Sequence, residues 1–182
     1  MACGEAELVI DYPPQGIIDF VMDLNEYRKV DDKLGKIYWI KPAPDGNGVY
    51  VHFGPKLMGM PVPSTTQRVV ATPDHRIEIT GVPSWTDSMV TFHAYFRCEP
   101  VEGGTKIVRG LNFRFSKAMS WMMDGAVTRG LAKSIPKELA NAKEYLSDAG
   151  LQPDGPPEDR HWGERTFFIS DPDGNTIELA AG

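Results

Sequence analysis

Few side chains in this 182-residue sequence have both the type and the spacing that chemistry requires. Its four histidines are His52, His75, His93 and His161, and none has another histidine at the i,i+4 spacing that presents two metal ligands on a helix. The sequence contains no nucleophile elbow, P-loop, dinucleotide-binding fingerprint or Cys-x-x-Cys motif. The remaining candidates are single residues, and their roles depend on the elements that position them.

Arg109 is the first of these candidates. It lies in a predicted strand over residues 106–115, on the face that also carries the apolar side chains, so it is expected to point inward. A buried guanidinium needs a partner, because an unpaired buried charge costs several kcal/mol. Arg109 therefore either orients a carboxylate or carbonyl of a bound molecule, pairs with Asp124 or Glu78, or reaches solvent at the strand end.

Two further groups are candidates for proton transfer. His93 and Tyr95 lie on the polar face of the predicted strand 89–98, so we expect them to face solvent or to cover a contact in a homodimer. Asp124 is the titratable residue that the sequence places nearest to the predicted interior. It is the candidate acid or base.

The elements that position these residues indicate an α+β fold. A strand over residues 7–12 precedes a helix from residue 15 and a second short helix at 27–34, and about six antiparallel strands follow up to Phe115. A long helix is predicted over residues 118–146, because Met119, Met123 and Val127 are spaced four apart. Pro136 predicts a kink or break in it.

The bulk composition restricts the classes of partner. A net charge of −6 and a pI near 5.2 argue against nucleic-acid binding. The two cysteines are far apart and no signal peptide or membrane span is evident, so we expect a cytoplasmic protein without disulfides.

The order of elements resembles the SRPBCC or START-like superfamily over about residues 5–147. The segments that carry the resemblance are Ile10-Asp11-Tyr12-Pro13-Pro14, the turn Glu102-Gly103-Gly104, and the helix end from Pro136 to Leu146, which is similar to the polyketide cyclase/dehydrase-like branch. The resemblance implies a helix-grip fold, in which an antiparallel sheet wraps around a long C-terminal helix and leaves a cavity between them. It implies lipids, polyketides or aromatic metabolites as ligands.

The last residues resemble a different family. Trp162-Gly163-Glu164-Arg165 and Asp171-Pro172-Asp173-Gly174-Asn175 are similar to the closing strands of a glyoxalase/bleomycin-resistance (vicinal oxygen chelate) module, in which the residue that matches Glu178 is a metal ligand. The first strand and the second module of such a site are missing here. We therefore predict domains at 1–147 and 161–182 joined by a linker at 148–160, a C-terminal β-hairpin, and no metal or other cofactor.

The predicted function is the binding of a small, largely apolar molecule in the cavity. Arg109 is its expected polar anchor, and the other predicted ligand-binding residues are Met58, Trp85, Phe92, Phe113, Trp121, Met123 and Val127. One alternative is a polyketide cyclase, dehydratase or aromatase that works without a metal. Another is a glyoxalase-like metalloenzyme that assembles its ligands in a homodimer.

Overall fold

The computed structural model describes residues 1–57, 59–84 and 88–148, together with the backbone of three strands between 158 and 181. The chain divides into two compact units, Met1–Asn141 and Ala142–Gly182. The predicted limits at 147 and 161 remain a prediction, because residues 149–157 and 160–164 lie outside the described part.

The first unit contains a seven-stranded antiparallel sheet. Its strands are β1 (Ala2–Ile10), β2 (Ile37–Pro42), β3 (Val49–Phe53), β6 (Thr65–Thr72), β7 (Arg76–Gly81), β8 (Val90–Val101) and β9 (Gly104–Phe115), and β4 (Lys56–Leu57) and β5 (Met60–Pro61) form a separate small hairpin. The order β1-β9-β8-β7-β6-β3-β2 places the N-terminal strand β1 beside β9, which is the last strand of this sheet in the sequence. The predicted meander of about six strands after one N-terminal strand is confirmed.

Three helices accompany the sheet: α1 (Pro14–Met22), α2 (Leu24–Tyr27) and α3 (Lys117–Asp148). The second helix is shorter and earlier than predicted, because the Asp23 carboxylate accepts hydrogen bonds from two N–H groups of the next turn and starts the helix there. Strand β1 starts at Ala2 rather than at Glu7. Helix α3 continues through Pro136, so the break predicted as one alternative there is wrong.

Helix α3 packs against the face of the sheet on which the apolar side chains alternate. Val127, Leu131 and Ile135 are each no more than 3% exposed. A side-chain carbon on Gly4 of β1 would lie 2.6 Å from the Leu131 Cβ, so glycine permits the close approach of the helix to this strand. The predicted helix-grip fold is confirmed.

The Glu138 carboxylate of α3 ties three other segments together. One oxygen accepts hydrogen bonds from the Tyr27 hydroxyl of α2 and from Arg109 Nε of β9, the latter at 3.1 Å. The other oxygen lies 2.6 Å from the ammonium nitrogen of Lys33, in the loop after α2. Glu138 is 2% exposed, so these donors replace the water that a buried carboxylate loses.

The second unit contains an antiparallel sheet of three strands, β10 (Glu158–Asp159), β11 (Arg165–Ser170) and β12 (Thr176–Ala181). The pairing of Arg165 with Ala181 and of Ser170 with Thr176 confirms the predicted C-terminal hairpin. Strand β10 was not predicted. Its two residues carry no periodic signal.

Replacing Glu138 by glutamine should strongly destabilise the protein. Glu138→Gln leaves Arg109 and Lys33 buried beside a neutral amide, and breaking a buried ion pair in this way costs about 3 kcal/mol or more. We expect urea denaturation at pH 7 to show that loss. Glu144→Gln, on an exposed part of α3, should change the free energy of unfolding by less than about 0.5 kcal/mol. Equal effects of both substitutions would show that the carboxylate does not hold the segments together.

Candidate functional site

A cavity of about 480 Å³ lies in the first unit. Strands β3, β6, β7, β8 and β9, the β4–β5 segment and helix α3 all contribute to its wall. Most of the wall is apolar, and its larger members are Val51, Phe53, Leu57, Val62, Val69, Ile79, Phe92, Leu111, Phe113, Phe115, Met119, Met123, Val127 and Leu131. Its volume is within the usual range for small-molecule sites.

The structure brings five of the predicted ligand-binding residues to this wall: Phe92, Arg109, Phe113, Met123 and Val127. The paired strands β8 and β9 place Phe92 opposite Phe113, and their ring centroids are 5.1 Å apart. Met123 and Val127 come from one face of α3. That these side chains contact a ligand stays a prediction.

Trp121 does not belong to the wall, and its prediction is wrong. Its side chain is 82% exposed. Trp121 lies two residues after Met119 and two before Met123, which both line the cavity, and a step of two residues turns an α-helix by about 200°. The Trp121 side chain therefore points away from the cavity. Met58 and Trp85 lie outside the described residues. Pro55, Leu57 and Val62, which lie near Met58 in the sequence, do line the cavity.

One part of the cavity wall is polar. Tyr27, Asp31, Lys33 and Arg109 lie there, with Glu138 behind them. The Lys33 ammonium group is 2.7 Å from Asp31 Oδ1, and the Arg109 guanidinium carbon lies 4.1 Å from the centroid of the Phe96 ring. Arg109 is only 3% exposed, so the predicted inward direction of this side chain is correct.

The electrostatics of this group distinguish its two carboxylates. Burial and the nearby Glu138 carboxylate raise the pKa of Asp31 to about 6, although Lys33 and Arg109 oppose the shift. Burial would also raise the pKa of Glu138, but the positive charges of Arg109 and Lys33 hold it below its ordinary value. Asp31 is therefore the carboxylate that can exchange a proton near neutral pH.

The partners predicted for Arg109 are wrong. Asp124 pairs with the N-terminal amine of Met1, and Glu78 pairs with His93 at 2.6 Å on the outer face of the sheet. Asp124 does not line the cavity, which removes it as the candidate acid or base. His93 is nearly half exposed, as predicted. The homodimer contact beside it stays a prediction.

Sequence reasoning missed most of the polar residues of the site, which include Tyr27, Asp31, Lys33, Gln67 and Glu138. Glu138 lies three residues after Ile135 on the core side of α3, and Gln67 alternates with Val69 on the inner face of β6, so both could have been found by periodicity. Asp31 lies in a loop, where no period applies. Its position depends on Lys33 and on the fold of the first unit.

A metal site is not assembled by the described residues, among which no group of three His, Cys, Asp or Glu side chains has a suitable arrangement. Glu178 pairs through its backbone with Phe168, and its side chain is outside the described part. Within the residues that the structure describes, none of the helices combines the length and the apolar character that a bilayer crossing requires.

The architecture is shared with solved structures of very different sequence. TTHA0849 from Thermus thermophilus superposes with a TM-score of 0.67 at 14% identity, covering 81% of this chain and 98% of that one. The Zhui aromatase/cyclase from Streptomyces sp. R1128 gives a TM-score of 0.63 at 14% identity, covering 81% and 97%. A START superfamily protein from Mycobacterium smegmatis gives 0.62 at 12% identity, covering 81% and 99%. These likenesses show the fold.

Family models match two overlapping parts of the chain. A glyoxalase/bleomycin resistance protein/dioxygenase superfamily model matches residues 136–179. No protein of curated function matches the chain significantly in sequence. The model described as polyketide cyclase/dehydrase and lipid transport matches residues 1–147, which contain the whole cavity wall. The chain therefore belongs to the polyketide cyclase/dehydrase and lipid transport family.

Proposed function

We propose that the chain binds a small, largely apolar molecule in the cavity of its first unit. The observation that carries this proposal is the 480 Å³ space between the sheet and α3, whose wall is mainly aliphatic and aromatic. Apolar burial contributes about 25 cal/mol per Å² of surface removed from water, so such a wall supplies affinity without a specific chemical group. The polar residues around Arg109 then orient the molecule.

A second candidate function is catalysis of the cyclase or dehydratase type. The observation that favours it is Asp31, a titratable group on the cavity wall that is 2% exposed. As a base, the Asp31 carboxylate would take a proton from a carbon beside a carbonyl, while Arg109 donates hydrogen bonds to the enolate oxygen. The carbanion would attack a second carbonyl of the same molecule, and Asp31 would return the proton to the alkoxide. The reaction consumes no cofactor.

Native mass spectrometry of the purified protein is the direct test of binding. A complex heavier than the denatured chain, reduced to the chain mass on denaturation, would give the mass of a co-purified molecule. We expect an organic adduct in the range of a few hundred daltons, which is what a cavity of this size holds. A metal adduct with no organic molecule would instead favour the glyoxalase-like alternative.

Filling the cavity should weaken the binding of a neutral apolar dye. Met123 lines the cavity, whereas its neighbour Met122 is 57% exposed, so Met123→Trp and Met122→Trp form a matched pair. We expect Met123→Trp to weaken Nile red binding at least about tenfold in a fluorescence titration, because the added ring occupies the space of the dye. Met122→Trp should bind as the wild type does. Equal affinities in all three proteins would place the dye outside the cavity.

The catalytic candidate predicts that the protein accelerates hydrogen–deuterium exchange at the central carbon of a 1,3-diketone such as 4,6-nonanedione. The rate, measured by proton NMR, should rise through pH about 6 and level off above it, since the base is the ionised form of Asp31. Asp31→Asn should lower the acceleration about a hundredfold. Asp11→Asn is the control for loss of an exposed carboxylate that does not line the cavity. Exchange no faster than in buffer would contradict the catalytic function and leave binding.

A further inference from the structure

Gln67 is a polar residue that the sheet places against the apolar part of the cavity. It lies on the inner face of β6 between Val51 of β3 and Gly81 of β7, it is 9% exposed, and it lines the cavity. Among the residues that the structure describes, its side-chain amide has no hydrogen-bond partner. The amide is not enclosed by protein atoms and lines the open space of the cavity, so it can hydrogen-bond a polar atom of a molecule bound there.

Gln67 is well separated from the polar residues around Arg109. Strand register connects Arg109 to Phe96, Phe96 to Ile77, and Ile77 to Ala71, so Arg109 and Ala71 lie in one row across the sheet. Gln67 precedes Ala71 by four residues, which is about 13 Å along the strand. The two polar positions therefore lie toward opposite ends of the sheet face, and the wall between their rows includes Val69, Ile79 and Leu111.

The charges at the cavity are balanced. Among the described residues, the cations of the wall are Lys33, Lys56 and Arg109, and the carboxylates are Asp31 and Asp32 on the wall and Glu138 directly behind it. Lys33 and Arg109 are already engaged by Asp31 and Glu138. Lys56 is exposed to solvent. An anion bound in the buried part of the cavity would therefore meet only cations that are already paired and would lose its water, which is unfavourable.

We infer that the cavity takes an uncharged, elongated molecule with an oxygen at each end, one bound by the residues around Arg109 and the other by the Gln67 amide. The inference rests on the proposed binding function and deepens it. A glutamine side chain both donates and accepts hydrogen bonds, so it suits a hydroxyl or a carbonyl oxygen equally. The apolar middle of the molecule would lie along the wall between the two polar positions.

Three probes of equal chain length test the inference: 1,12-dodecanediol, 1-dodecanol and dodecanoate. Their affinities would be measured at pH 8 by displacement of Nile red. We expect the diol to bind about threefold to tenfold more tightly than the mono-alcohol, which is the contribution of one hydrogen bond. Dodecanoate should bind at least about tenfold more weakly than the diol. Dodecanoate as the tightest ligand would overturn the inference.

The role of Gln67 has its own control. Gln67→Met keeps the length of the side chain and removes its polar atoms, so the diol and the mono-alcohol should then bind equally. Gln15→Met makes the same change on the exposed face of α1 and should keep the preference for the diol. Thermal unfolding would confirm that both variants fold. Retention of the diol preference in Gln67→Met would also overturn the inference.

Different experimental results would contradict the inference and the proposed function. If Nile red binding depends on Met123 but the three probes bind equally, the cavity binds apolar molecules and the two polar ends do not select them. If no probe displaces Nile red, the diol fails as a ligand and the inference fails with it. If Nile red itself is insensitive to Met123→Trp, the proposed cavity binding fails first.

Discussion

The buried Glu138 carboxylate is the constraint on which the first unit depends. Its two oxygens accept hydrogen bonds from Tyr27 of α2, Lys33 of the following loop and Arg109 of β9. One side chain of α3 therefore holds three segments that are each distant from it in sequence. Well-packed apolar residues could hold the same segments with equal or greater stability. What apolar residues would not provide is a polar wall in an otherwise apolar cavity. The charged network thus joins these segments and also forms the polar part of the cavity wall.

Successive rows of the sheet give different parts of the cavity wall a different chemical character. Rows of paired strand residues carry the aromatic pair Phe92 and Phe113, then an aliphatic row, then the row of Arg109. Because successive inward residues on a strand are two positions apart, each row adds about 7 Å to the wall. This arrangement is the basis for the inference of an elongated ligand. Binding and proton transfer are related hypotheses here, because the wall that we propose to bind an apolar molecule also carries one carboxylate of raised pKa, Asp31.

The C-terminal residues have a separate character. The two family models overlap over residues 136–147, in the last part of α3, so one helix serves both patterns. Beyond it the second unit has only three described strands, whereas a vicinal oxygen chelate site draws its ligands from more than one module. The family of the first 147 residues consequently accounts for the cavity, and the contribution of the second unit to function is a separate question. The residue that bears on this question is Glu178, which matches a metal ligand of the vicinal oxygen chelate family.

The helices and strands of the first unit could be predicted from the amino-acid sequence, because strand alternation and four-residue helical spacing report which face of each element is buried. Their helix-grip arrangement and the cavity were implied by the resemblance of the element order to the SRPBCC or START-like superfamily. Periodicity correctly predicted that five side chains point inward: Phe92, Arg109, Phe113, Met123 and Val127. The prediction for Trp121 was wrong, because it relied on the apolar residue type and ignored the position of the residue around the helix. The predicted partners of Arg109 were also wrong, since its partner is Glu138. Periodicity can place Glu138 on the buried face of α3, but it cannot tell which residues meet it there. Arg109 of β9 and Lys33 of the loop after α2 reach the Glu138 carboxylate only in the folded chain, because each is far from Glu138 in sequence. The pairing of buried charges is decided by which segments meet, and that is a property of the tertiary structure.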